Sequence, residues 1–218
     1  MDNQHSQASQ GEILQLMIAE YEALREARRL SYTVSSNSSN LFLAAVSGAI
    51  IALGLICQVS ALSQFFLASV AILFGLFIVG VCTFARTLEG QIVCRLYLRG
   101  MNKIRRYFVE VAPNDVKDYM ILPIYDDEPA FCSAGTNPWK CMALFVNPPG
   151  VVATINSIIG SVLITGILEF LFDLSMLCTI CCFAVVFIAM LIAHQTYQVW
   201  RLKKAEEKGK KKVHFPSP

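Results

Sequence analysis

Apolar residues are concentrated in four long runs, and nearly all the charged residues lie between or beyond these runs. The runs cover residues 38–58, 62–85, 150–171 and 175–196. A helix needs roughly 20 apolar residues to cross the hydrocarbon core of a bilayer, and each run has about that length. The pattern therefore predicts four transmembrane helices, arranged as two tight hairpins.

The composition favours the same interpretation. Charged residues make up 16% of the 218 residues, whereas soluble domains carry about 25%, and the mean hydropathy is +0.53. A soluble helical protein would leave four apolar helices without the charged faces that such helices present to water. The predicted fold class is an all-α integral membrane protein.

Lysine and arginine residues all lie on one side of the predicted spans. Three precede the first span, eight lie between the second and third, and seven follow the fourth, which accounts for all 18. The short connections at 59–61 and 172–174 contain none. Because positive charge stays on the cytosolic side of a membrane, both termini and the long central segment are expected in the cytosol. We expect the plasma (inner) membrane as the location.

This pattern divides the chain into six segments. Two membrane hairpins alternate with polar stretches that are predicted to be cytosolic. The segments are a disordered N-terminus (1–10), a juxtamembrane helix (11–37), transmembrane hairpin 1 (38–85), a basic helix with an acidic loop (86–149), transmembrane hairpin 2 (150–196) and a polybasic tail (197–218).

Small and hydroxyl side chains recur at every fourth position of the third span, and this stripe ends in two carboxylates. The stripe consists of Ala153, Ser157, Ser161, Thr165, Glu169 and Asp173. One interpretation is a packing face, because small residues let transmembrane helices approach closely, with both carboxylates hydrated near the outer surface. The other is a polar path in an oligomer, with the carboxylates at its mouth favouring cations.

The juxtamembrane helix carries a short apolar seam. Leu14, Met17, Tyr21 and Leu24 follow one another at spacings of three and four residues, as in a coiled coil. The seam extends over barely two heptads. It is as compatible with a helix lying on the membrane, or on a cytosolic neighbour in the same chain, as with self-association.

The stretch after the second span is predicted to continue as a basic amphipathic helix until Pro113. Its basic residues suit anionic headgroups of the inner leaflet or an acidic protein partner, and each is worth roughly 1 kcal/mol near an anionic surface. No RNA- or DNA-binding motif accompanies them, which argues against a nucleic-acid partner. The predicted lipid- or partner-binding residues are Arg95, Arg99, Lys103, Arg105, Arg106, Lys203 and Lys204.

The acidic loop that follows contains five carboxylates. Three of them are adjacent, at Asp126, Asp127 and Glu128. Oxygen ligands of this kind bind divalent cations, but three adjacent acids lack the spacing of a Ca²⁺ loop. A solvated or salt-bridged face is the favoured interpretation, and no metal site or cofactor is predicted.

No hydrolytic site is predicted either, because the three histidines are far apart and no catalytic motif accompanies them. His194, near the inner end of the fourth span, is interpreted as incidental. Cys178 and Cys181 form a Cys-x-x-Cys that resembles the quinone-linked four-helix thiol oxidoreductases of the vitamin K epoxide reductase type. Those enzymes also use shuttling cysteines in an outer loop, whereas the first outer connection here has only Cys57 nearby. A cysteine-rich, lipid-facing helix is favoured, and no enzyme is expected.

The first 110 residues are predicted to form a helix, two spans and a basic helix, in that order. This layout is similar to that of the small bacterial two-span effector domains called SLATT. The resemblance implies an oligomeric, membrane-pore-forming effector in nucleotide-triggered defence; the second pair of spans departs from that layout. The leading hypothesis is therefore a non-enzymatic homo-oligomeric bundle that opens a pore under control of its cytosolic elements. The main alternative is a membrane scaffold that recruits a cytosolic partner through residues 86–148.

Overall fold

The computed structural model describes residues 2–111 and 143–212, and every element within them is helical. Four of the helices are long and apolar enough to cross a membrane, which confirms the prediction of an all-helical chain with four candidate membrane spans. The helices are α1 (Asp2–Val59), α2 (Leu62–Val111), α3 (Ala143–Val146), α4 (Pro148–Phe172) and α5 (Met176–Lys212).

Two short links connect the long helices. Only Ser60 and Ala61 lie between α1 and α2. The link from α4 to α5 begins with Asp173, which adopts a left-handed backbone conformation with φ 47°. Its backbone N–H donates a 2.9 Å hydrogen bond to the carbonyl of Glu169, so the last turn of α4 is closed by a residue that tolerates this conformation better than most.

The start of α4 is encoded by three consecutive residues. The side-chain oxygen of Asn147 accepts a 2.8 Å hydrogen bond from the backbone N–H of Gly150 and caps the helix. Pro148 and Pro149 occupy the first helical positions, where the missing N–H costs nothing. The helix therefore begins at a fixed point immediately before the third apolar run.

The structure differs from the sequence prediction at both ends of the chain. Residues 1–10 were predicted to be disordered, but α1 begins at Asp2. The basic stretch from Lys208 to Lys212 was also predicted to be disordered, but it belongs to α5. Extending an existing helix adds one hydrogen bond for each residue fixed, so polar sequences without proline readily continue one. The acidic loop, over 112–142, lies outside the described residues.

The described residues form two compact units. The first, which we term the charged unit, contains residues 2–33, 91–111 and 204–212. The second, which we term the span unit, contains residues 34–90 and 143–203. Helices α1, α2 and α5 each contribute to both units.

Within the span unit, α4 is the interior helix. Half of its most apolar stretch is buried, compared with 6% for α1 and α2 and none for α5. Large apolar side chains such as Leu55 of α1 and Val185 of α5 are instead exposed. Such a surface is unfavourable in water and is the one that a bilayer selects.

Within the charged unit, α1 packs against α2 at a small residue. A Cβ atom on Gly100 would lie 3.0 Å from Cδ1 of Leu24, so the two helices approach closely at this point. Met101, Ile104 and Val109 of α2 are buried. Tyr21 and Leu24 of the predicted seam thus contact a helix of their own chain, which is one of the arrangements that the sequence left open, whereas Leu14 is exposed.

Candidate functional site

Arg105 is the most deeply buried of the predicted basic binding residues. Only 7% of it is exposed. Its Nη2 and Nε donate hydrogen bonds of 2.8 and 3.2 Å to the hydroxyl of Tyr21, and Nη1 donates one of 2.7 Å to Oδ1 of Asn102. The guanidinium also lies 5.4 Å from the centre of the Tyr21 ring. Arg105 thus joins α2 to α1, and a ligand would have to displace these contacts to reach it.

Arg99 and Arg106 are also engaged within the chain. Nη1 of Arg99 donates a 2.8 Å hydrogen bond to the backbone carbonyl of Glu206, whose carboxylate lies 3.5 Å from Nη2. Arg99 extends over Gly209, where an added Cβ would come within 2.6 Å of Nη1. Arg99 therefore holds the end of α5 against α2 inside the charged unit. Arg106 pairs with Glu110 of its own helix at 2.6 Å.

The other four predicted basic residues have exposed side chains, namely Arg95, Lys103, Lys203 and Lys204. The predicted basic set therefore divides into residues that are buried or half-buried and residues whose side chains are exposed. The spacing of charges along α2 does not distinguish the two groups. Their roles in binding lipid or a partner stay predictions.

An open cleft of about 570 Å³ lies between α1 and α2 of the charged unit. Leu24, Leu96 and Ile104 contribute apolar lining, while Glu20 and Lys103 contribute charges of opposite sign. Arg106 and Glu110 also line the cleft, so it combines apolar surface with charges of both signs, as grooves that accept amphipathic helices do. The sequence analysis did not predict this cleft, because its two walls are more than 70 residues apart.

Cys94 lies beside α1 in the same unit. Its Sγ is 3.6 Å from the backbone carbonyl of Arg28. Burial raises the pKa of the Cys94 thiol, and the positive charge of Arg28 acts in the opposite direction. The side chain is consequently a poor nucleophile at neutral pH, which favours a packing role.

The stripe predicted on α4 divides into two parts. Ala153, Ser157 and Ser161 have no exposed surface, and Thr165 is 4% exposed. Glu169 and Asp173 are exposed. The four inner residues pack inside a single chain, so they meet the chain's own helices rather than a space between copies.

A histidine faces this stripe from α5. Nδ1 of His194 lies 2.8 Å from the carbonyl of Met190 and 3.3 Å from Oγ of Ser157. A carbonyl oxygen only accepts hydrogen bonds, so we assign the proton of the neutral ring to Nδ1. The ring of Phe84 packs against His194 edge to face, with centroids 5.1 Å apart.

Asn156 contacts α2 on the neighbouring stripe of α4. It has no exposed surface, and a Cβ on Gly80 would lie only 2.0 Å from its Oδ1. Neither polar atom of its amide has a hydrogen-bond partner among the residues that the structure describes. The same holds for Oγ1 of Thr165 and Oε1 of Gln198. The sequence analysis placed Asn156 beside the stripe but did not identify its contact with Gly80, which depends on how α2 and α4 cross.

Cys178 and Cys181 of α5 are free thiols with exposed side chains, and Cys182 is half-buried. The interpretation of these cysteines as a lipid-facing helix surface stays a prediction. Among the side chains that the structure describes, in residues 11–111 and 145–209, no three His, Cys, Asp or Glu residues come together as a metal site.

In comparisons with known proteins, no protein family, curated protein or solved structure matches the chain. The geometry of the charged unit and the span unit therefore carries the functional argument.

Proposed function

We propose that this chain is a non-enzymatic membrane scaffold that recruits a cytosolic protein through the cleft of the charged unit. The cleft between α1 and α2 is the observation that carries the proposal. Both of its walls continue helices that are apolar enough to span the bilayer. A partner seated there would be held at the membrane surface.

The proposed topology places both termini and the charged unit in the cytosol, with the two membrane hairpins turned outward. Its support is the distribution of cations, since all 18 lysines and arginines lie outside the short links between paired spans. The exposed Arg95, Lys203 and Lys204 extend this argument. Near the inner leaflet they would add attraction to anionic headgroups.

A scaffold is favoured over a pore between copies of the chain by the burial of the α4 stripe. Ser157, Ser161 and Thr165 would have to line such a pore, yet they pack inside a single chain. Opening a path between copies would require α4 to leave that packing. Homo-oligomer formation and the SLATT-like pore stay predictions.

The cleft best fits an amphipathic helix of the partner. Leu24, Leu96 and Ile104 offer a surface for leucine, methionine or aromatic side chains. Glu20 and Lys103 can pair with a basic and an acidic residue that flank the apolar stripe of such a helix. Recognition of this kind uses apolar anchors for affinity and rim charges for orientation.

The test is site-specific photo-crosslinking in cells. A photoreactive phenylalanine analogue replaces Tyr97, which lines the cleft, or Tyr32, an exposed residue of the same unit that does not line it. We expect a crosslink to one cytosolic protein from position 97 and none from position 32. The identified partner should then bind the purified protein, with weaker binding to Lys103→Glu because the rim charge is reversed.

Three outcomes would contradict the scaffold function. The first is equal crosslinking from positions 97 and 32, which indicates non-specific proximity. The second is a partner whose purified form binds wild type and Lys103→Glu with the same affinity. The third is crosslinking to lipid alone, which would reject a protein-binding cleft.

A further inference from the structure

The interior of the span unit contains a file of polar side chains along α4. The file begins at Asn147, whose Oδ1 also lies 3.3 Å from Nε2 of Gln198. It continues through Asn156 and Ser157 to Thr165, one turn before the exposed Glu169. From Asn147 to Thr165 the helix rises about 27 Å, close to the thickness of the hydrocarbon core.

Several members of the file have unused hydrogen-bonding capacity. Within the part of the chain that the structure describes, no partner is found for either polar atom of the Asn156 amide, for Oγ1 of Thr165 or for Oε1 of Gln198. All three residues are at least nine-tenths buried. Buried polar groups of this kind are normally satisfied by hydrogen bonds, often with water.

His194 lies beside the same file, with Nδ1 3.3 Å from Oγ of Ser157. With the proton on Nδ1, which donates to the carbonyl of Met190, Nε2 is left as a hydrogen-bond acceptor. The hydroxyls of Ser157 and Ser161 donate to backbone carbonyls of their own helix at 2.7 and 2.5 Å. Their oxygen lone pairs remain able to accept.

The file is closely packed at two points of α4. Asn156 lies directly against Gly80, and a Cβ on Gly160 would meet Sδ of Met190 at 2.7 Å. Protons differ from other ions because they pass along hydrogen-bonded chains without moving a hydrated particle. Close packing at these two points therefore favours protons over hydrated sodium or potassium ions.

We propose that the span unit binds water along this file and conducts protons through each single chain. Each step moves one proton between neighbouring water or hydroxyl oxygens, while the amides hold the water by hydrogen bonds, so one proton enters at one end for each that leaves at the other, and no oxidant or reductant takes part. The exposed Glu169 and Asp173 collect or release protons at the far end of α4. The proposal is independent of the docking cleft, which belongs to the other unit.

The experiment measures proton uptake into vesicles that contain the purified full-length protein and a trapped pH-sensitive dye. A potassium gradient with valinomycin drives the flux. The decisive pair is Thr165→Val, which removes a hydroxyl from the file at nearly constant volume, and Thr179→Val. Thr179 bonds only its own helix, through Ser175, at the exposed start of α5.

We expect wild type and Thr179→Val to conduct protons at the same rate. Thr165→Val should conduct them at least about tenfold more slowly, because one hydrogen-bonding step of the file is lost. Asn156→Leu should reduce the flux further. If that variant fails to fold, Thr165→Val alone decides. The proposal is overturned by wild-type flux no greater than that of protein-free vesicles, by equal flux in the two threonine variants, or by sodium permeation alongside protons.

Discussion

The charged unit and the span unit place their polar side chains in opposite ways. In the charged unit, buried Arg105 is paired with Tyr21 and Asn102, and much of the remaining charge is on the surface. In the span unit, Leu55 and Val185 are exposed while Asn156 is fully buried. The exposed apolar surface of the span unit is the one that its four candidate membrane-spanning helices require.

Helices are held together in two ways, and both units use both. Polar groups bridge helices where Arg99 contacts Glu206 in the charged unit and where Gln198 contacts Asn147 in the span unit. Close approach at glycine occurs at Gly100 in the charged unit and at Gly80 and Gly160 in the span unit. Where lipid removes the hydrophobic drive between helices, close packing has to supply the contact.

The largest expected effect comes from filling a glycine contact in the span unit. Gly80→Ala would place a Cβ 2.0 Å from Oδ1 and 2.6 Å from Cγ of Asn156, and 3.0 Å from Cζ of Phe42. We expect a loss of about 2 kcal/mol in the free energy of unfolding, because the helices must separate. Denaturant titration in detergent micelles measures it.

The control for this prediction is Gly75→Ala on the same helix, where an added Cβ meets nothing within 4 Å. That variant should be neutral or slightly more stable, since alanine favours helix. Adding Asn156→Ala to Gly80→Ala should restore most of the lost stability. Equal stability of the Gly75 and Gly80 variants would show that α2 and α4 do not cross at this point.

A smaller effect is expected from removing the central bridge of the charged unit. Arg105→Met leaves the Tyr21 hydroxyl and the Asn102 amide without their guanidinium partner. We expect a loss of roughly 1–2 kcal/mol, with faster amide hydrogen exchange in residues 11–33 and 91–111. Exchange in α4 should change much less if the two units respond separately.

Arg25→Met provides the matched control for the same side-chain change on the surface. Arg25 pairs with Glu22 three residues earlier, and both side chains are more than half exposed. Such pairs contribute about 0–1 kcal/mol, so we expect a shift near the limit of measurement. A larger loss from Arg25→Met than from Arg105→Met would contradict the bridging role of Arg105.

A kinetic difference is expected at Cys94. Thiols react as thiolates, and burial raises the pKa of Cys94, so its reaction with a water-soluble maleimide at pH 8 should be several-fold slower than that of an exposed thiol. The rate should rise with pH as the thiol ionises. In a background without other cysteines, Ala23→Cys supplies the exposed reference on α1. Equal rates at the two positions would show that Cys94 is open to water.

The sequence alone predicted the elements that depend on local pattern. Four apolar runs predicted four helices with the potential to span a membrane, and the structure contains them. The four-residue period of Ala153, Ser157, Ser161 and Thr165 identified the side of α4 that is buried. These features follow from hydropathy and helical geometry, which are properties of a short stretch of chain.

Contacts between distant segments could not be predicted in the same way. Arg105 and Arg106 are neighbours with the same charge, yet one is buried against Tyr21 and the other pairs with Glu110. The difference depends on where α1 meets α2, which no local pattern specifies. His194 was interpreted as incidental for the same reason, because Ser157 is 37 residues away in sequence.

The smallest effect is expected at the link between α4 and α5, where the span unit is exposed and little packing is at stake. Asp173 has φ 47°, a conformation that glycine adopts freely and asparagine or aspartate tolerates better than other residues. Asp173→Ala should therefore cost about 0.5–1 kcal/mol, and Asp173→Gly should cost nothing or slightly stabilise the protein. Asp173→Asn separates conformation from charge, because it tolerates the same backbone while removing the carboxylate. If Asp173→Asn unfolds like wild type but slows proton uptake into vesicles, the carboxylate acts in proton transfer. If Asp173→Asn instead loses as much stability as Asp173→Ala, the contribution of Asp173 to stability comes from its charge and not from its left-handed backbone.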